Sequence, residues 1–267
     1  MDFREMMALE PHGMDTYVGT GPSYPWGGLY GGQIVAQALW ACGDTVEERF
    51  LPHSLHAYFI RSGDTNEPTR FEVDRLRNGR SFATRQVVAR QSGGAILTMI
   101  ASFHAAEDEV SVQAKPMPDA PLPDQLELDS WSDMFDRTVV APEPSGTRRR
   151  AWLRIVGDLG EDPLLHACGL AYVSDDLPTE SLIALHPAWN PDRESESDSD
   201  WGFMNASLDH SIWFHRPARA DDWHLEDFTP GGLDGARGLT TGELFAHDGT
   251  HIATVAQEVL LRERRKR

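Results

Sequence analysis

A chain of 267 residues, 40% hydrophobic and 25% charged, has an ordinary globular make-up and room for one large domain or two of about 130 residues. No apolar run reaches the roughly 18 residues of a membrane span. Met1-Asp2-Phe3-Arg4-Glu5 lacks the basic start and apolar core of a secretory signal, and two cysteines, Cys42 and Cys168, cannot build a disulfide framework, so a reduced, cytoplasmic setting is expected. With 42 acids against 24 bases the net charge is −18, a field that repels nucleic acid and anionic lipid.

In chain order, the first feature is Gly27-Gly28-Leu29-Tyr30-Gly31-Gly32-Gln33, which leads into a helix expected over Gln33 to Cys42, with Gly43 as its stop. Glycines there let a ligand approach the backbone, and the free N–H groups of a helix start favour negative charge. The run is neither a Walker loop nor a dinucleotide fingerprint, so no nucleotide cofactor is implied. His53-x-x-His56 falls in a strand pattern that sends the two rings to opposite faces, and no metal site is expected. The turns Asn78-Gly79 and Ser92-Gly93 bracket a strand over Ser81 to Gln91, and a further strand follows over Ala95 to Ala105.

Glu107 to Thr147 carries Pro116, Pro118, Pro121, Pro123, Pro142 and Pro144 among scattered acids, and reads as a linker with one short helix around Gln125 to Arg137. A second helix is expected from Pro163 to about Asp175, with the apolar row Leu164, Cys168 and Ala171. Asp192 to Asp200 (DRESESDSD) reads as a solvated loop, and Arg262 to Arg267 as a frayed basic tail. Between them, Asp234-Gly235 and Asp248-Gly249 bracket a strand over Arg237 to His247, followed by another over Thr250 to Arg262.

The two parts repeat each other. Tyr58-Phe59-Ile60-Arg61 matches Trp213-Phe214-His215-Arg216 at an offset of 155, and the turn pairs match at 156, as do Ile96 and Thr98 with Ile252 and Thr254. The reading is therefore an α+β chain of two halves, 1–106 and 148–267, joined by a linker at 107–147, each half a helix followed by an antiparallel sheet.

The repeat isolates one position. Leu97, Met99, Ala101 and Phe103 share a strand face, and the matching face is Ala253, Val255, Gln257 and Val259, so Gln257 places an amide where the first half has alanine. A buried amide must find partners, in the neighbouring backbone or in a ligand. Asp175 continues the inward row of its helix, although Asp176 is the alternative, and an acid at a helix C-terminus opposes the macrodipole. Ser207, Asp209 and His210 stand close together, but adjacent strand residues face opposite ways, so Asp209 and His210 cannot both converge on Ser207 as a hydrolytic triad, and no Gly-x-Ser-x-Gly elbow is present.

These segments together resemble the bacterial acyl-CoA thioesterase II family. The stretches that carry the resemblance are Tyr30 to Leu39, His53 to Asp64 and Leu76 to Phe82 in the first half. In the second they are Tyr172-Val-Ser-Asp175, Ser207-Leu-Asp-His-Ser-Ile-Trp-Phe-His-Arg-Pro217, Ala236-Arg-Gly238 and Val255-Ala-Gln-Glu258. The resemblance implies a double hotdog, two helix-wrapped antiparallel sheets fused in one chain, that hydrolyses acyl-CoA to a fatty acid and CoA. It places the family's water-holding trio on Asp175, Ser207 (threonine in some relatives) and Gln257, and favours a homo-oligomer. Gly31 and Gly32 are candidates for stabilising the oxyanion, and His53 for lining the pocket. The alternative is a catalytically weak acyl-CoA-binding protein on the same fold. CoA is a polyanion, so local arginines must offset the acidic field, with Arg61, Arg77, Arg80, Arg216, Arg237 and Arg148 to Arg150 available.

Overall fold

The computed structural model describes residues 1–142, 146–190 and 202–264, so the acidic stretch Asp192–Asp200 and the end of the basic tail lie outside the described residues. The first half runs α1 (Phe3–Met7), β1 (Glu10–Pro11), β2 (Thr16–Gly19), α2 (Gly31–Gly43), β3 (Phe50–Phe59), β4 (Thr69–Asn78), β5 (Phe82–Gln91) and β6 (Gly94–Ala105). The second runs β7 (Phe135–Val140), β8 (Arg149–Ile155), α3 (Pro163–Val173), α4 (Leu177–Leu185), β9 (Phe203–Ser207), β10 (Asp209–Phe214), β11 (His224–Asp234), β12 (Arg237–Ala246) and β13 (His251–Glu263). The hairpin positions follow the turn signals closely, and Gly235 and Ala236 take the positive φ of 55° and 66° that a tight two-residue turn requires.

All strands belong to one antiparallel sheet in the order β1-β2-β4-β5-β6-β3-β10-β13-β12-β11-β8-β7, with β9 also on β13. The halves meet where β3 pairs with β10, from Asp209↔Tyr58 to Trp213↔Ser54. In that register His56 faces Ser211, its own equivalent at the offset of 155, so the pseudo-twofold axis passes between these two residues. Their side chains meet there, with His56 Nδ1 3.1 Å from Ser211 Oγ.

Helix α2 is buried on nearly all sides, which explains why its sequence is apolar throughout rather than along one stripe. Its glutamines are satisfied internally: Gln37 Nε2 donates to the Met6 and Thr20 carbonyls at 2.9 and 2.8 Å, and Gln33 Oε1 accepts from the Tyr24 hydroxyl at 2.8 Å. Just beyond its C-terminus sits Arg85, a buried guanidinium that donates to Thr45 Oγ1 and the Thr45 carbonyl at 2.6 and 3.0 Å. It also reaches Asn78 Oδ1 at 2.7 Å and the Arg77 and Thr84 carbonyls at 2.9 and 3.0 Å. A cation suits the carbonyl end of a helix.

Two expectations are corrected. The stretch around Gln125 to Arg137 is not a helix: it holds one short 3-10 turn, Pro123–Gln125, and then β7, which pairs with β8. The β-branched and aromatic run Phe135-Asp-Arg-Thr-Val-Val140 suits a strand beside β8, and the proline-rich segment before it lies across the outer face of the second half-sheet. Met117, Ala120 and Leu126 pack there against Trp152, Leu225 and Phe245, and the Trp152 indole donates to the Pro121 carbonyl at 2.8 Å. The second helix, expected to run to about Asp175, ends at Val173, and a separate helix α4 begins at Leu177, so Asp175 lies in the break between them.

Beneath α4 lies a cluster of buried charge. Arg137 binds Asp176 at 3.0 Å and Glu180 at 2.9 Å, with the Arg137 and Asp176 side chains both nearly inaccessible. Glu226 is fully buried on β11 with neither carboxylate oxygen bonded, and burial holds its pKa well above the ordinary range. A carboxyl whose folded pKa is raised stabilises the fold below its unfolded pKa, and that contribution is lost as pH rises toward the folded value. Glu226→Gln removes this cost, so its melting temperature is expected to overtake wild type as pH rises above about 4.3, with a stability gain of up to about 1.4 kcal/mol per pH unit. Asp176→Ala has the opposite expectation: it strips a buried partner from Arg137, and denaturation should show a loss of about 3 kcal/mol.

Candidate active site

Three elements converge on Asp175. It follows the α3 C-cap Ser174, and its carboxylate faces the first turn of α2, where the Tyr30 N-cap supplies no side-chain bond. Gly32 N–H donates to Asp175 Oδ2 at 3.0 Å. An acid that opposes its own helix dipole is thus placed against the positive end of another. The approach requires glycine: a Cβ on Gly31 would stand 2.5 Å from Asp175 Oδ2, and one on Gly32 2.1 Å from the Tyr172 carbonyl oxygen.

On its other side the carboxylate meets the sheet. Asp175 Oδ1 accepts from Gln257 Nε2 at 2.8 Å and from Ser207 Oγ at 3.2 Å, and Gln257 Nε2 also donates to Ser207 Oγ at 2.8 Å. Gln257 points inward between Val255 and Val259, as strand alternation requires. Ser207 reaches the same face through a register slip. Val259 pairs with Ser207 on β9, but Ala256 pairs with Ser211 on β10, so one extra residue is accommodated around Leu208. The irregularity is tied down by Asp209, whose Oδ1 accepts the Glu258 N–H at 2.7 Å. It also turns His210 inward, where its Nδ1 bonds Gln257 Oε1 and its Nε2 lies 3.0 Å from Ser174 Oγ.

Electrostatically the site is buried and short of cations. Burial raises the pKa of Asp175, an effect only partly offset by His210, Gln257, Ser207 and the Gly32 amide. Burial likewise depresses that of His210, against the raising effect of Asp175 and Gln257. Asp176, the alternative acid, turns away: its carboxylate accepts from the Trp131 indole at 2.6 Å and from Arg137 at 3.0 and 3.2 Å. Aromatic rings of Tyr24, Tyr30, Trp131 and Tyr172 pack around this end of α2.

The structure therefore brings together Asp175, Ser207, Gln257, Gly31 and Gly32. It does not bring in His53, which sits at a bulge in β3 with its ring 2.8 Å from Ser102 Oγ and packed against Phe82 and His104. Ser102 lies between the buried Ala101 and Phe103, so this contact is on the outer face of the sheet. Several of the arginines considered for CoA are engaged elsewhere, Arg61 with the Gly93 carbonyl and Arg237 with Glu258 at 2.7 Å. His210 was not singled out from sequence as part of this group; the signal for it would have been the odd spacing from Ser207, which shares a face with it only across a bulge. Among the described residues no cluster of His, Cys, Asp and Glu could hold a metal ion, and no helix is long and apolar enough to cross a membrane.

Comparison with known proteins bears on the family and the fold. Residues 20–104 match the acyl-CoA thioesterase N-terminal domain and residues 111–261 the acyl-CoA thioesterase C-terminal domain. Acyl-coenzyme A thioesterase 8 of Mus musculus is 35% identical over 290 residues, covering 96% of this chain and 88% of the relative. The crystal structure of an acyl-CoA thioesterase II from Mycobacterium marinum is 38% identical, superposes with a TM-score of 0.83 and covers 98% of this chain and 97% of its own. A hot dog fold protein from Alicyclobacillus acidocaldarius, at 19% identity and a TM-score of 0.80 over 97% of each chain, shares the fold. With two thioesterase domains of hotdog architecture matched along nearly its whole length, the chain belongs to the acyl-CoA thioesterase II family and is a thioester hydrolase.

Proposed function

We propose that the chain hydrolyses fatty acyl-CoA by direct attack of water, with Asp175 as general base and Ser207 and Gln257 orienting the water. The observation that carries this reading is the convergence of the three side chains, from the α3–α4 break, β9 and β13, on mutual bonds of 2.8 to 3.2 Å. A thioester carbonyl is electrophilic enough to need no covalent enzyme intermediate. Asp175 takes a proton as the water oxygen bonds the carbonyl carbon. The carbon–sulfur bond then breaks, and the proton passes to the departing CoA sulfur. A raised pKa makes the carboxylate a stronger base for the first step. The Gly32 amide is already engaged by Asp175, so Gly31 is the backbone donor we propose for the developing oxyanion.

We also place the protein in the cytoplasm, since Cys42 and Cys168 are both buried free thiols suited to a reducing compartment. A homo-oligomer belongs to the same reading: Tyr58, Ile60, Ile100 and Trp213 expose apolar surface on the outer face near the joint of the halves, a surface suited to a second copy.

Thiol release from short-, medium- and long-chain acyl-CoA tests the mechanism. Asp175→Asn should fold and melt like wild type yet lose about 10²- to 10⁴-fold in kcat, the usual worth of a positioned base. Gln257→Ala should lose about 10- to 100-fold through loosened positioning. Wild-type turnover in both variants would remove the trio, and no release by wild type from any substrate would leave an acyl-CoA-binding protein. The pH profile supplies a separate check. Because the base must be ionised, kcat/KM should fall about tenfold per unit on its acid side, with a midpoint above the roughly 3.9 of an ordinary aspartate.

A further inference from the structure

We propose that His210 is a positioning residue that holds the Gln257 side-chain amide in its working orientation. The inference rests on the reading of Asp175, Ser207 and Gln257 given above and adds a fourth group to it.

The argument is one of hydrogen-bond direction. A glutamine amide can turn over and exchange its oxygen for its nitrogen at little steric cost, and only one of the two arrangements is useful here. With Nε2 toward Asp175 Oδ1 and Ser207 Oγ, both at 2.8 Å, the amide donates to the base and to the hydroxyl. Gln257 Oε1 then points the other way, onto His210 Nδ1. An amide oxygen only accepts, so Nδ1 must carry the imidazole proton; Nε2 is then an acceptor, and the single Ser174 hydroxyl proton is shared between it at 3.0 Å and the Ala171 carbonyl at 3.2 Å. The ring is fully buried, which favours its neutral form, and the bond to Gln257 Oε1 selects the tautomer with the proton on Nδ1.

While Asp175 is ionised, its own charge favours the same amide orientation. That help disappears at the moment it matters. Once Asp175 has taken the proton of the attacking water, its carboxyl is a donor and would pair equally well with Gln257 Oε1, inviting the amide to flip. The His210 N–H occupies Oε1 in both protonation states and so keeps Nε2 on Ser207 throughout the cycle. His210 is carried to this place by the same register slip around Leu208 that brings in Ser207, three residues earlier on the same face.

His210 also touches Ser174, the neighbour of Asp175, so it could instead act by steadying the end of α3. Acyl-CoA hydrolysis by single and double variants separates the two routes. His210→Leu is expected to lower kcat about 10- to 100-fold with KM held within about twofold, and to add less than about twofold when introduced into Gln257→Ala. Two polar variants guard against misfolding. His210→Asn presents an amide N–H near the Nδ1 position and should retain activity within about fivefold of wild type, whereas His210→Gln presents it near Nε2 and should fall with the leucine variant. Equal losses from His210→Leu in both backgrounds, or equal activity of the asparagine and glutamine variants, overturns the proposal. Wild-type turnover in Gln257→Ala alone would instead overturn the trio on which it rests.

Discussion

The bond from the Gly32 amide to the Asp175 carboxylate links the start of α2 to the end of α3, and the polar cluster of the site is assembled around it. The two helices pack antiparallel, in close approach through glycines at both ends of α2. Gly32 lies against the Tyr172 carbonyl at one end and Gly43 against Leu164 at the other. Helix α2 is left with no side-chain cap at its N-terminus, whereas α3 caps itself through Asp162, which accepts the Leu164 N–H. That difference breaks the pseudo-twofold symmetry. One helix offers an open positive end to an acid from the other half, and the other does not. At its far end α2 meets Arg85, so both poles of its dipole are answered by groups from outside the helix.

The sheet breaks the symmetry a second time. Where the first half has Ala101, the second has Gln257, and although β3 carries at His53 the same one-residue slip that splits the second half's run at Leu208 into β9 and β10, it presents Pro52 and Leu55 where the second half presents Ser207 and His210. The split places Ser207 and His210 on one face although they are three residues apart, a spacing that a regular strand would send to opposite faces. A duplicated fold thus carries one constellation of polar side chains rather than two. It lies where the irregular strand of the second half and the open helix end of the first meet.

Much of this was legible in the sequence because it rests on local rules. The hairpins followed Asn-Gly and Asp-Gly signals, α2 its glycine stop, and Gln257 stood out because the repeat supplied its own comparison at Ala101. What escaped depended on tertiary context. Nothing local marks Ser174 to Asp176 as a break, since Pro178 is equally at home in the first turn of a new helix. The proline-rich segment looked like a solvated linker because its apolar residues, Met117, Ala120 and Leu126, are few and widely spaced, and only the Trp152 surface reveals what they cover. The choice between Asp175 and Asp176 could not be made from sequence either, because it turns on Arg137 and Trp131, each about 40 residues away along the chain.

That choice also bears on how an acidic protein could keep one buried carboxylate for the proposed role of base. Asp175, Asp176 and Glu226 lie within one another's electrostatic reach, and all three are removed from water, so each needs its own means of tolerating burial. Asp176 is matched by the Arg137 guanidinium and the Trp131 indole, which occupy its oxygens. Glu226, with no donor on either oxygen, is tolerated by holding a proton. Asp175 follows neither route. Its partners are an amide, a hydroxyl and a backbone N–H, neutral donors that steady a negative charge without pairing it to a cation. A guanidinium there would lower the basicity of the carboxylate, and full isolation would leave it permanently protonated. Neutral donors in a buried setting leave it able to gain and lose a proton, the property that the proposed hydrolysis by water demands.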